Sequence, residues 1–209
     1  MELNAHDLIG GFDRIGIVAF ALSGVALGVR ARLDIFGLLV MGVVTAVGGG
    51  MLRDIALGDV PLALERGDYL LWALGSAAFA ILVAVSRWDI PLLVVSVADA
   101  AGLGAFAVAG ALVGIEAGLP IPAVLLLAVV TATGGGVLRD LMGNRMPLVL
   151  HAEINASAAL LGGLATVLIE PVSLEIAAAV GVLLTAQLRV TGLVYDLHLP
   201  VPKAANQTE

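Results

Sequence analysis

The chain has 209 residues, of which 60% are hydrophobic and only 13% are charged. Soluble domains carry about 25% charged residues, so this composition excludes an ordinary soluble fold. The net charge is -7, and the chain has no lysine or arginine cluster that would indicate nucleic-acid binding. It has no cysteine, which excludes disulfides and thiolate metal sites. Apolar runs of about 20 residues, long enough to cross a hydrocarbon layer of about 30 Å, predict a polytopic membrane protein.

Seven membrane-spanning helices are predicted in chain order. Their ranges are 8–29, 35–57, 68–86, 90–115, 121–142, 150–169 and 173–194. The third is the clearest, because Tyr69 and Trp72 open it and Trp88 follows it, which puts aromatic side chains at both membrane interfaces. The N-terminal segment lacks the positive region of a signal peptide, so the first helix is predicted to be retained.

The positive residues predict an orientation in the membrane. Only Arg14 and Arg66 lie on one side if the seven helices alternate. The other side carries six positive residues outside the glycine motifs: Arg30, Arg32, Arg87, Arg145, Arg189 and Lys203. Positive residues favour the cytoplasmic side, so we expect the N-terminus outside and the C-terminus inside.

An internal repeat relates two parts of the chain. Residues 13–64 align without gaps with residues 99–150, and 24 of the 52 positions are identical. The matches include two aspartates, two Arg-Asp pairs and several glycines and prolines, which apolar composition alone would not produce. Because each unit contains three helices, an odd number, the second unit enters the membrane inverted relative to the first.

Charges at matched loop positions agree with this inversion. Arg30, in a predicted inside loop, corresponds to Glu116 in an outside loop, and Asp59, outside, corresponds to Arg145, inside. We therefore predict an all-α membrane protein with an inverted 3+3 repeat and a seventh helix. The predicted parts are a first repeat (1–89), a second repeat (90–171), the seventh helix (172–195) and a polar tail (196–209). Inverted repeats build many transporters, with the functional site where the two units meet.

Each unit contains the motif Gly-Gly-Gly-x-x-Arg-Asp, at Gly48–Asp54 and Gly134–Asp140. Glycine costs a helix about 1 kcal/mol relative to alanine, so the triplets are predicted to bend their helices. Carbonyls freed at such a bend must be buried in protein or face water, and oxygen-lined paths suit cations. The predicted bend and path residues are Gly48, Gly49, Gly50, Gly134, Gly135, Gly136, Thr45 and Thr131. The carbonyls predicted to contact a monovalent cation are those of Gly48, Gly49, Gly134 and Gly135.

Six ionisable residues within the predicted spans are at positions that are identical in the two repeats: Arg53, Asp54, Arg139, Asp140, Asp13 and Asp99. Such residues face the bundle interior or a water-filled cavity, so they are candidates for pore charges and gating. Adjacent residues point about 100° apart on a helix, which leaves three pairings open: within a motif, between motifs, or with the aspartates at 13 and 99. The alternative to a pore is a purely structural role, in which the glycines pack helices and the ion pairs anchor helix ends. No arrangement of residues indicates an enzyme.

The doubled glycine motif within a duplicated three-helix unit resembles the prokaryotic TRIC family, the trimeric intracellular cation channels, over residues 8–195. The resemblance implies a homotrimer in an inner membrane, surrounded by lipid, in which each protomer conducts potassium and sodium without a cofactor. It also implies kinks at the two triplets and basic pore residues at Arg53 and Arg139. The same bacterial family carries a suggested glycine-transporter role. A secondary transporter of a small solute such as glycine is therefore the alternative.

The inverted repeat predicts that loops 30–34 and 116–120 lie on opposite sides of the membrane. Single cysteines at the matched positions Arg32→Cys and Gly118→Cys can be introduced into this cysteine-free chain. A membrane-impermeant maleimide should label Gly118→Cys from outside and Arg32→Cys only after the membrane is permeabilised. Labelling of both from the same side would contradict the inverted repeat.

Overall fold

The computed structural model describes residues 5–86, 91–150, 154–195 and 197, and all regular secondary structure within them is helical. The helices are α1 (Ala5–Arg30), α2 (Ile35–Leu57), α3 (Leu62–Glu65), α4 (Gly67–Val85), α5 (Leu92–Glu116), α6 (Ile121–Met142), α7 (Ala156–Ile169) and α8 (Leu174–Val194). Six of them, all but α3 and α7, are long and apolar enough to cross a membrane. The prediction of an all-helical membrane protein is confirmed.

Two parts of the predicted helix pattern need correction. The sixth helix was predicted over 150–169, but Leu150 ends a 3-10 turn and α7 begins at Ala156. Its 14 residues rise only about 21 Å, less than the hydrocarbon thickness. The four-residue helix α3, which follows Pro61, was not predicted. Residues 1–4, 87–90, 151–153, 196 and 198–209 lie outside the described residues, as do the predictions that concern Arg87, Trp88 and Lys203.

Local sequence signals explain where α2 begins and ends. The Asp34 carboxylate accepts a hydrogen bond from the Gly37 amide at 2.7 Å, which satisfies a free N–H of the first turn. The helix ends at Leu57, and the next residue, Gly58, has a φ of 82°, in the left-handed region that glycine adopts without a steric penalty. The charged end of the motif, Arg53 and Asp54, lies about one turn before this end of α2.

Helices α1 and α5 pack together at the centre of the molecule through a reciprocal glycine–phenylalanine contact. The rings of Phe20 and Phe106 meet edge to face, with centroids 5.2 Å apart and planes at 70°. A Cβ added to Gly16 would overlap the ring of Phe106, and one added to Gly102 would overlap that of Phe20. Each unit thus provides a glycine that makes room for the aromatic ring of the other, as a two-fold relation would require.

The glycine triplets lie where α2 and α6 cross. Gly49 lies directly against the carbonyl oxygen of Thr131, and Gly135 lies against that of Thr45, so neither position has room for a side chain. A Cβ added to Gly50, in contrast, would have room: the nearest atom would be a nitrogen of the Arg53 guanidinium, at 3.8 Å. Both helices run without interruption through their triplets. The observed role of the triplets is close helix contact, whereas a bend at the triplets stays a prediction.

This crossing predicts opposite effects for alanine at neighbouring glycines. Gly49→Ala would push its methyl group into the Thr131 carbonyl and should destabilise the protein by about 1–3 kcal/mol or more, as overpacking does. Gly50→Ala has room and should leave stability unchanged or raise it by up to about 1 kcal/mol, through helix propensity. Thermal unfolding of the purified variants in detergent measures the difference.

The second unit provides the matched control. Gly135→Ala should behave like Gly49→Ala, and Gly136→Ala should behave like Gly50→Ala, because their surroundings correspond. Equal melting temperatures for all four variants would contradict the close contact between α2 and α6.

Candidate functional site

The first ion-pair cluster is centred on Arg53, whose side chain is only 1% exposed. Its two terminal nitrogens donate to the two carboxylate oxygens of Asp13 at 2.9 and 3.2 Å. Its Nε donates to Asp54 Oδ1 at 2.8 Å. The other oxygen of Asp54 accepts the Leu62 amide N–H at 2.9 Å, which ties the end of α2 to the start of α3. The charge of Arg53 is therefore matched by two carboxylates inside the bundle.

The second cluster, around Arg139, repeats this arrangement. Arg139 Nε donates to Asp140 Oδ1 at 2.9 Å, and Nη1 donates to Asp99 Oδ1 at 2.7 Å. Asp140 Oδ2 accepts the Leu148 amide N–H at 3.1 Å. Each arginine thus pairs with the next residue and with the aspartate 40 positions earlier in its own unit. Of the three pairings left open by the sequence, the one between motifs is absent from both clusters.

The two clusters differ at Asp99, which has partners that Asp13 lacks. Ser23, from the first unit, donates to Asp99 Oδ1 at 3.1 Å and accepts a hydrogen bond from Arg139 Nη1. Arg189 of α8 lies 3.8 Å from Asp99 Oδ2. Among the described residues, both oxygens of Asp13 instead accept hydrogen bonds from Arg53 and from no other side chain. The second cluster is therefore shared between both units and the last helix, whereas the first is self-contained.

The two threonines near the triplets lie at helix contacts. Thr45 Oγ1 donates to the Met41 carbonyl at 2.6 Å, and Thr131 Oγ1 donates to the Leu127 carbonyl at 2.7 Å. Each hydroxyl packs against a glycine of the preceding long helix, at positions 24 and 110. The structure therefore places the threonine carbonyls at the α2–α6 crossing and the threonine hydroxyls on the other side of each helix. That these hydroxyls line a cation path stays a prediction.

Two cavities of similar size open at opposite ends of α1 and α5. The basic cavity, about 430 Å³, contains four arginines and two aspartates: Arg30, Arg139, Arg145, Arg189, Asp99 and Asp140. The acidic cavity, about 370 Å³, contains one arginine and four acids: Arg53, Asp54, Asp59, Glu65 and Glu116. Their formal net charges are +2 and -3. Each cavity ends at one of the two ion-pair clusters.

Beyond each cluster lies a small inner cavity of about 10 Å³, roughly the space of one water molecule. The first inner cavity shares Arg53 and Asp54 with the acidic cavity and is also lined by Gly50 and Phe106. The second shares Arg139 with the basic cavity and is also lined by the corresponding residues, Gly136 and Phe20. The edge contact between the two rings separates the inner cavities. The cavities thus form a series that crosses the bundle and is interrupted by the ion pairs and the rings.

Sequence reasoning missed two residues of this site, Ser23 and Arg189. Ser23 is a hydroxyl within an apolar span and corresponds to Ala109 in the repeat, so its divergence at a matched position was an available signal. The sequence analysis places Arg189 among the charges at the membrane interface, but its side chain is 3% exposed and faces Asp99.

Within the described ranges, no group of three or more histidine, aspartate or glutamate side chains is arranged to hold a metal ion. The glycine carbonyl contacts to a cation stay a prediction.

Known proteins resemble this chain along nearly its full length. The UPF0126 inner membrane protein YadS of Escherichia coli is 38% identical over 204 residues, which cover 92% of this chain and 95% of YadS. A prokaryotic TRIC channel crystallised in 0.5 M KCl is 35% identical, with a TM-score of 0.85 over 93% of this chain and all of that one. The TRIC channel orthologue from Rhodobacter sphaeroides is 36% identical, with a TM-score of 0.83 over 90% and 98% of the two chains.

These relatives confirm the resemblance to prokaryotic TRIC channels and the predicted location as a multi-pass protein of a bacterial inner membrane. The model of the family described as "Glycine transporter" matches residues 11–85 and 96–171. The two matched segments lie one in each unit of the repeat, although the boundaries given above for the parts of the chain stay a prediction. The chain belongs to the glycine transporter family of bacterial UPF0126 membrane proteins, and its structure is similar to solved structures of TRIC channels.

Proposed function

We propose that this protein is a channel for monovalent cations, chiefly potassium and sodium, with a path through each protomer beside the α2–α6 crossing. The observation that carries the proposal is the series of cavities, which approaches the two glycine triplets from opposite ends of the bundle. The similarity to proteins described as TRIC cation channels supports it. No step of this function needs a cofactor or a catalytic residue.

The ion pairs and rings act as the closed barriers of this path. Arg53 and Arg139 lie between the outer and inner cavities, where a free positive charge would oppose a cation, but each is neutralised by two carboxylates. Opening requires each arginine to move aside and the rings of Phe20 and Phe106 to separate. Bending of α2 and α6 at the triplets accomplishes both and turns glycine carbonyls toward the ion, as irregular backbone does where it lines a cavity.

The channel assembles in the membrane as a homotrimer, as its relatives are described. The proposed orientation has the N-terminus outside and the C-terminus in the cytoplasm, which places the acidic cavity outside and the basic cavity inside. The large apolar side chains exposed on α4, Leu71, Phe79 and Leu82, are available for lipid or for neighbouring protomers. Nucleic acid has no part in this function.

Transport of glycine is the second candidate, and one observation favours it. The basic cavity has room for a small solute, and Arg139 and Asp99 at its floor could bind the carboxylate and the ammonium group. Against this, an occluded site between the two units would have to distinguish the two ends of glycine. The central residues are instead paired identically across the repeat, Gly16 with Gly102 and Phe20 with Phe106. Identical residues on both sides do not distinguish a carboxylate from an ammonium group, which favours the channel.

Two measurements on the same purified protein separate these functions. In planar bilayers, discrete potassium currents should appear in the absence of glycine. In liposomes, radiolabelled glycine should not accumulate in response to an ion gradient. Glycine uptake that saturates, without any current in glycine-free solution, would overturn the channel proposal.

The difference between the two clusters predicts different effects for matched arginine substitutions. Arg53→Gln removes the guanidinium that donates both hydrogen bonds seen at the buried Asp13 among the described residues, and it should destabilise the protein by about 3–5 kcal/mol, as removal of one partner from a buried pair does. Arg139→Gln should cost less, because Asp99 keeps Ser23 and Arg189. The variant should instead raise the cation current, since the floor of the basic cavity loses a positive charge.

Melting temperature in detergent and single-channel current measure these two effects. Asp13→Asn combined with Arg53→Gln should recover part of the lost stability, because it removes the unpaired carboxylate. Equal losses of stability in the two single variants, with unchanged current in Arg139→Gln, would contradict the assigned difference between the clusters.

A further inference from the structure

The charges of the two outer cavities come from matched positions of the repeat. Arg30 lines the basic cavity and its counterpart Glu116 lines the acidic one. Arg145 lines the basic cavity and its counterpart Asp59 lines the acidic one. All four side chains are exposed. The core of the repeat is therefore symmetric, whereas its two mouths carry opposite charge.

Opposite charge at the two mouths affects ion entry. A cleft lined by charge of one sign concentrates counter-ions and raises their entry rate, by about 10-fold or more in strong fields. The acidic cavity therefore supplies cations to the path, and the basic cavity depletes them. At zero voltage the two fluxes balance, as equilibrium requires. Under voltage, entry from the upstream mouth limits the current.

We infer that the pore rectifies, passing monovalent cations more readily from the acidic cavity to the basic cavity than in reverse. This inference rests on the proposed channel function and adds a direction to it. Asp59, Glu116, Arg30 and Arg145 set the direction, although they lie outside the glycine motifs. In the proposed orientation, the favoured direction is inward.

The rectification should depend on salt. In symmetric 0.1 M KCl, the current from the acidic to the basic side should exceed the reverse current by about two-fold or more. In 1 M KCl the ratio should fall toward one, because the Debye length shortens from about 10 Å to about 3 Å and screens the mouths. Single-channel current–voltage curves measure this ratio directly.

Cysteine chemistry assigns the effect to the cavities, since the chain has no cysteine of its own. Asp59→Cys should lower the ratio, a methanethiosulfonate that adds a sulfonate should restore it, and one that adds a trimethylammonium should lower it further. Arg145→Cys should also lower the ratio, but there the trimethylammonium reagent restores it. Each cysteine reacts only with reagent added to the chamber that its cavity faces. The same experiment therefore identifies which chamber the acidic cavity faces in every recording.

Matched controls are charges that line neither cavity. Glu170→Cys and Arg32→Cys, treated with the same reagents, should leave the ratio within error of the unmodified protein. Glu116→Cys provides a second acidic position if Asp59→Cys assembles poorly. Symmetric currents in 0.1 M KCl, or controls that change the ratio as much as the cavity variants do, would overturn the inference and leave the channel standing. Absence of any current would overturn the channel function itself.

Discussion

The contact on which the rest of the structure depends is the crossing of α2 and α6, where Gly49 lies on the Thr131 carbonyl and Gly135 on the Thr45 carbonyl. Any side chain at these two positions would separate the helices. Because the backbones touch here, the following turns bring Arg53 and Arg139 to opposite sides of the crossing, each facing its own aspartate. The position of both ion-pair clusters therefore depends on glycine, which has no side chain, at positions 49 and 135.

The core of the bundle is nearly symmetric between the two units, whereas the residues around it are not. The matched glycines, rings and Arg-Asp pairs close the centre of the bundle in the same way from both sides. Ser23 and Arg189 add partners to Asp99 only, and the mouths carry opposite charge. Burial of an ion pair is costly unless its hydrogen bonds are completed, and here the backbone N–H groups of Leu62 and Leu148 complete them.

The sequence predicted the helical class, the internal repeat and the arginine and two aspartates of each cluster, because hydropathy and a gapless repeat are strong signals. It did not predict where α7 begins, since the polar stretch that contains His151, Glu153 and Asn155 follows an apolar run without a break in pattern. It left the arginine partners open, because residues 40 positions apart meet only through helix packing. The role of the triplets in contact between α2 and α6 required three-dimensional positions, as did the burial of Arg189.

The central claim is that cations pass beside the two triplets, at Gly50 and Gly136, where an added side chain has room. Single cysteines at these positions test it with silver ion, a monovalent cation of about the size of potassium, in potassium nitrate. Silver should block the potassium current irreversibly in Gly50→Cys and Gly136→Cys, but not in Gly75→Cys, which lines a separate apolar groove on α4. A potassium current that persists in both triplet variants after silver treatment would contradict the claim.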